Sequence, residues 1–457
     1  MRALPVNAIS GRMMAPPLWL APRDNQDWVD EEMLRCLEFF AEYVPAAAWQ
    51  RRLDGARERL HAARLKWATG DRIPVFDPRD AIAFYAFQAR AHAADRKDWY
   101  EPEAYRIVSV FRRLGELVPA LRTVDGVGDR ISRLLTDGRR QPDDGLYELL
   151  VAGAYAVRGW DVAFVPEQPG VQKRPDLFVS KGKSRWAAEC KRVGRGEYSL
   201  GETTEGHRIA RGVHQWAAEK GRSIVVQLAY IKELSEVPDD YLLQQVERLA
   251  WRGEPVEWQD ATSRGMAWNL DWRPMVTVLR DDDIYFGSSR MIELVSGHYI
   301  PYADHDMEGR WTPSRTHPFH AADVHQLSLV SWLSESREAA RRKARHFRSI
   351  VGRANDQLPG DRAGVVHIGY ETGGASPADT LRHMLNLLEI SDFNPGASRL
   401  RWVYANYMSP ERPTAADESA ALSESTAPYK VGKHRTPQPL LNHMLFGDEG
   451  GTPGWHL

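Results

Sequence analysis

The sequence predicts an α/β protein whose centre is a short antiparallel hairpin, led in by one helix and followed by a second helix and strand. Three observations carry that expectation. The cluster Pro142-Asp143-Asp144-Gly145 opens an apolar helical stretch that Gly159 closes. Two segments of strand character, 177–180 and 184–191, flank a Lys181-Gly182-Lys183 turn. A further strand, 223–231, follows a helix at about 205–220.

Along the chain, apolar residues at helical spacing (Met33, Leu34, Leu37, Phe40 and Val44, then Ile82, Phe84, Tyr85 and Phe87) predict a helical N-terminal region over 1–140. Residues 141–232 form the predicted core: the helix 146–158, strands at 160–166, 177–180 and 184–191, the helix 205–220 and the strand 223–231. Residues 233–409 read as a mixed α/β accessory region. It has strands near 275–279 and 284–286, a basic helix from Arg337, a strand at 364–370, a helix at 377–388 and a strand at 400–407. The second α/β pair is placed to extend the sheet. After Ser409 the chain turns to Pro, Ser, Thr, Ala and Glu, which predicts a largely disordered tail over 410–457.

Composition excludes several function classes. The 457 residues carry 60 Lys and Arg against 62 Asp and Glu, so the chain is no polycation. Two cysteines, Cys36 and Cys190, build neither a disulfide framework nor a Cys-rich zinc site, and this usage suits a reducing compartment. No stretch approaches the roughly 18 apolar residues of a membrane helix, and the N-terminus lacks the apolar run of a signal peptide, so a cytoplasmic protein is expected. Walker A, Gly-x-Ser-x-Gly and Gly-x-Gly-x-x-Gly patterns are absent from the sequence.

The chemistry concentrates in Arg174-Pro175-Asp176-Leu177 and, past the turn, Glu189-Cys190-Lys191. Side chains alternate along a strand, so Glu189 and Lys191 share one face. A hairpin centred on Gly182 and Lys183 sets Asp176 across from Glu189, at about 5 Å between Cα atoms. Two converging carboxylates are ligands for a hard divalent cation, Mg²⁺ or Mn²⁺. An ammonium beside them answers the charge that builds on a phosphate under attack, and Glu148 on the preceding helix offers a third carboxylate.

In these residues the sequence resembles the PD-(D/E)XK nuclease superfamily, whose pattern falls here on Glu148, Pro175-Asp176 and Glu189-Cys190-Lys191, over residues 143–231. The resemblance implies a restriction endonuclease-like αβββαβ core with Asp176 and Glu189 as Mg²⁺ ligands, Lys191 catalytic and Glu148 an auxiliary acid. It further implies a metal-dependent endonuclease acting on DNA, with restriction or anti-phage defence as the setting and RNA as an alternative substrate. Gln215 is followed four residues on by Glu219, where the helicase-linked exonucleases of the superfamily are expected to have Gln with Tyr, so the resemblance does not extend to that subgroup. Double-strand cutting by one site per chain implies a homodimer. The competing reading is a catalytically silent nuclease fold that binds DNA or a partner.

Electrostatics point the same way. Between Val171 and Arg222 stand twelve Lys or Arg against six Asp or Glu. Lys173, Arg174, Arg192, Arg208 and Arg211 are the candidate phosphate contacts, which give salt-sensitive affinity without reading sequence. Gly126-Val127-Gly128 looks like a helix-hairpin-helix turn, whose amides meet a phosphate or merely end a helix. The arginines of 337–348 make either a nucleic-acid face or a solvated one, and Trp216, Trp251, Trp258, Trp268 and Trp272 either stack bases or pack.

Overall fold

The computed structural model describes residues 29–447 apart from 69–72, 95–97, 101–103, 167–173, 194–196, 252, 301–302, 318, 372–376 and 412–420. Among the described residues five α-helices come first: α1 Glu31–Ala41, α2 Ala46–Ala68, α3 Ala81–Ala94, α4 Ala104–Leu121 and α5 Val127–Leu135. Asp30 caps α1 by accepting from the Met33 amide at 2.9 Å. The alanine-rich α3 is buried on nearly every side, as its small side chains permit. Gly115 of α4 lets α1 approach so closely that a Cβ there would overlap the Glu32 carbonyl. Helix α6, Pro142–Val157, starts with proline at its first position, where no amide hydrogen bond is lost, and ends before Gly159 at φ 74°.

Strands β1 Asp161–Phe164, β2 Leu177–Lys181 and β3 Ser184–Val193 then pair antiparallel in succession. Gly182, at φ 59°, makes the β2–β3 turn. The chain next leaves this sheet and forms α7 Glu197–Glu219, β4 Ile224–Tyr230, α8 Tyr241–Val246, β5 Val256–Gln259, β6 Ser263–Asn269, α9 Arg273–Leu279, β7 Ile284–Tyr285, α10 Ser289–Ser296, β8 Asp304–Pro313 and β9 His320–Ser334. These strands build a second sheet ordered β5-β6-β4-β9-β7, with β8 paired to β9. The chain returns through α11 Arg337–Asn355, β10 Ala363–Glu371, α12 Pro377–Ser391, β11 Leu400–Glu411 and β12 Ala421–Lys430. The first sheet is therefore β1-β2-β3-β10-β11-β12, with β10 parallel to β3 and β11 parallel to β10.

Three expectations are corrected. The strand expected at 223–231 to finish the hairpin's sheet lies in the second sheet instead, antiparallel to β6 and parallel to β9. Every residue of β4 is buried, so it needs a neighbour on both edges and a cover on both faces; its pattern says strand but not which partner. The place beside β3 is taken by β10, and α11 supplies the helix before it. Residues 275–279, expected as a strand, belong to helix α9, which Pro274 opens. In the region expected as a disordered tail, β12 pairs with β11, and Leu440, Leu445 and Phe446 are buried. A strand needs a neighbour's backbone more than large side chains, which composition does not register. The expectation that 364–370 and 400–407 extend the sheet holds in β10 and β11.

The first sheet has two covered faces. Leu177, Val179, Ala188, Cys190 and Tyr404 pack with α6 and the N-terminal helices. Ala187, Val366 and Ile368 pack with Phe347, Ile350 and Val351 of α11.

Candidate functional site

The β2–β3 register runs Leu177 to Ala188 through Lys181 to Ser184, and one step further it sets Asp176 opposite Glu189. That is the pairing expected from the turn. The Cys190 amide donates to Asp176 Oδ2 at 2.8 Å, which fixes the aspartate at the mouth of the hairpin. Lys191 projects to the same face as Glu189, and its Nζ is paired with Glu189 Oε1. Both residues sit on a strand held from both sides, because Val366 and Ile368 of β10 stand beside Glu189 and Lys191.

Glu189 is fully buried, and its Oε2 has no hydrogen-bond partner. Burial pushes its carboxyl up to about 8, with the Asp176 charge adding to the rise and the Lys191 ammonium opposing it. For Lys191, burial works to lower the pKa, but Glu189 and Asp176 more than offset it, so the ammonium is held above its ordinary range. The three groups are electrostatically one unit.

Glu148 takes a different partner. It is buried on α6 and paired with Arg130 of α5. Arg130 in turn lies over the Phe164 ring at 5.8 Å, and its charge reaches Asp144 and Cys190. Arg133, one turn on, is exposed and feels the Asp176 charge. Composition did not single out these arginines, although Arg130 falls in the Gly-x-Gly stretch and the i, i+3 spacing of Arg130 and Arg133 marks one face of a helix. Burial raises Asp144, and Asp143 beside it adds to the rise. The turn itself is committed to packing. Gly126, at φ 75°, faces Phe164, and a Cβ on Gly128 would stand 2.6 Å from the Tyr43 ring.

The candidate phosphate contacts separate into engaged and exposed groups. Arg192 pairs with Glu371 at 2.9 Å, and Arg106 joins the same carboxylate at 3.0 Å. Arg208 pairs with Glu205 and Asp239 and donates to the Val237 carbonyl at 2.8 Å, which staples α7 to the chain ahead of α8. Arg174 and Arg211 are exposed, and Lys173 lies outside the described residues. Charge counting finds all five alike because it does not see internal partners. Of the tryptophans, Trp258 is buried and donates to Ser263 at 2.8 Å, while Trp216 and Trp251 flank Arg222 at 5.0 and 5.6 Å.

The donor set suits a hard cation. Asp176 and Glu189 supply adjacent carboxyl groups, and the buried Glu189 Oε2 makes no hydrogen bond of good geometry, while the Asp176 side chain adds to the rise of its carboxyl. Among the described residues no group of three or more His, Cys, Asp and Glu is arranged around a metal position. A Mg²⁺ ion held by one or two carboxylates completes its shell with water and substrate oxygens. Compared with known proteins, the chain matches no family model, no curated protein and no solved structure.

Proposed function

We propose that the protein is a Mg²⁺- or Mn²⁺-dependent nuclease that hydrolyses DNA phosphodiester bonds, with restriction or phage defence as the setting. One observation carries the reading: Asp176, Glu189 and Lys191 meet on one sheet face, with a buried carboxylate oxygen left over. The order of elements supports it. Helix α6, the antiparallel strands β1 to β3, helix α11 and the parallel strand β10 follow the αβββαβ sequence of a restriction endonuclease-like core, with residues 194–336 inserted between β3 and α11.

In this reading Asp176 and Glu189 would hold the metal, which when bound would supply a water of lowered pKa and neutralise phosphate charge. Hydrolysis joins a water oxygen to phosphorus and breaks the bond to one sugar oxygen, which leaves with a proton. Lys191 keeps its proton and sets its ammonium against the charge that grows on the phosphate oxygens. Glu148, buried and paired with Arg130, would be the auxiliary acid of the site. A dimer would bring two such sites to the two strands. The internal engagement of Arg192 and Arg208 leaves fewer cations for DNA and, within the silent-scaffold reading, favours a partner over DNA.

The test is incubation of purified protein with supercoiled plasmid in Mg²⁺, in Mn²⁺ and in chelator, beside Lys191→Ala. Metal-dependent nicking or linearisation absent from the variant is the expected result. Cutting by Lys191→Ala at the wild-type rate rejects its role, and no cutting of plasmid or RNA in any metal rejects the enzyme.

A further inference from the structure

The sheet face that carries the carboxylates continues past them. Side chains two apart on a strand share a face, so Asp176, Phe178 and Ser180 of β2 form one row, and the register sets Glu189, Ala187 and Arg185 beside them. From Asp176 to Ser180 this row is about 13 Å long at 3.3 Å per residue. Helix α11 covers the face over β3 and β10, where Ala187 meets Phe347 and Ile350. Over β1 and β2 lies an open cleft of about 480 Å³ bordered by Phe178, Ser180, Arg185 and Arg362, with Asp125 and Asp161 at its β1 side. That volume falls in the range of sites for small ligands.

The lining is chemically specific. Phe178 is half-buried, so its ring is fixed by the sheet while one side faces the cleft. The Arg362 guanidinium lies 4.1 Å from the ring centroid. Its ion-pair partner is the neighbouring Asp361, at 3.0 Å, and its side chain is 30% exposed, so a planar group can displace it from the ring without breaking a buried contact. Arg185 is exposed, as is Lys183 in the turn beyond. A fixed aromatic face with a movable guanidinium over it and a second arginine alongside is the combination that binds a base and its phosphates.

We propose that this cleft is a nucleotide subsite of the same site. The base next to the scissile phosphate stacks on Phe178, and Arg185 and Arg362 contact the flanking phosphates. Asp125 and Asp161 keep phosphate away from the β1 side. The inference rests on the nuclease reading and adds where the strand runs: from Asp176 and Glu189 along β2 toward the β2–β3 turn.

The experiment measures binding of labelled oligo-dT to the full chain by fluorescence anisotropy, in chelator so that nothing is cut, over a range of salt concentrations. Arg185→Gln/Arg362→Gln removes two phosphate contacts and should lower the slope of log affinity against log salt by about 1.4, at about 0.7 for each contact with a single strand. Phe178→Leu keeps an apolar side chain without the aromatic face. It should weaken binding by about 5- to 160-fold, the range for loss of one stacked base, and leave the salt slope unchanged. Thermal melts confirm that each variant is folded, and Arg57→Gln/Arg59→Gln, on the exposed side of α2, controls for net charge. Wild-type affinity and slope in both cleft variants overturn the subsite while leaving the nuclease reading to the plasmid assay. Failure of wild type to bind the oligonucleotide overturns the subsite even if plasmid is cut. Tighter binding of oligo-rU, lost in the same variants, supports the subsite and assigns RNA as its ligand.

Discussion

Replacing Glu189 by glutamine should flatten the dependence of stability on pH between about pH 5 and 8. The carboxyl rises from 4.5 to about 8 on folding, chiefly through burial. Below 4.5 both folded and unfolded chains carry the proton, and the group contributes nothing to the pH dependence. Between 4.5 and 8 the unfolded chain has released it and the folded chain has not, so each step up in pH favours unfolding. At about 1.4 kcal/mol per pH unit, the full window is worth about 5 kcal/mol of stability, lost as pH rises and constant above 8. Lys191, raised from 10.5, titrates above this window and does not obscure it. Glu424, raised to about 7 by burial, and Asp143 and Asp144, also raised, lean the same way, so the quantity to read is the difference between wild type and Glu189→Gln. Urea unfolding at successive pH values gives it. Equal slopes in the two proteins would refute the assignment of a buried, proton-holding carboxyl to Glu189. If the nuclease reading holds, saturating Mg²⁺ should raise the midpoint of the wild type at pH 8 by more than at pH 5, because metal and proton compete for one carboxylate, and should leave Glu189→Gln unmoved.

Lys191→Ala should abolish cleavage while retaining Mg²⁺ binding by calorimetry, since the ligands remain; loss of metal binding would place Lys191 in the metal shell's support instead. Arg130→Met leaves the Glu148 carboxylate buried beside no cation and should cost about 3–5 kcal/mol in urea unfolding, most of it recovered in Arg130→Met/Glu148→Met; additive losses would deny the pairing. Gly206→Ala puts a Cβ 2.2 Å from the buried Trp332 ring and should destabilise the protein by at least about 1–3 kcal/mol, and a melt unchanged from wild type would contradict the packing of α7 on β9.

The hairpin was legible because its determinants are local. A two-residue turn at Gly182 and Lys183 fixes the register, and the register fixes which carboxylates meet. The fourth strand was not legible, because β4 and β10 are both short apolar runs that follow a helix, and nothing in either pattern specifies an edge. The arginines divide the same way. Arg192 and Arg208 stand beside Arg174 and Arg211 in any count of charge, yet Glu371 and Asp239, far off in sequence, hold the first pair. Glu148 was legible as a residue but its partner was not, since Arg130 comes from α5, ahead of the predicted core.

The insertion between β3 and α11 explains how the site keeps its shape within so large an interruption. The chain leaves just after Lys191, and α11 takes it up again at that end of the sheet, where Phe347 meets Tyr370 at 5.7 Å between rings, before running back to the start of β10. Glu202, in α7, closes the gap: it accepts from Ser334 at the end of β9 at 2.8 Å and pairs with Lys343 of α11 at 2.6 Å. Departure and return are thus tied at one buried carboxylate, and the second sheet can hold its own core around β4 without pulling on β3. The cross-link also puts the second sheet beside the strand ends that carry Asp176, Glu189 and Lys191. A module whose two ends are fixed there leaves the geometry of those residues to β2, β3 and β10.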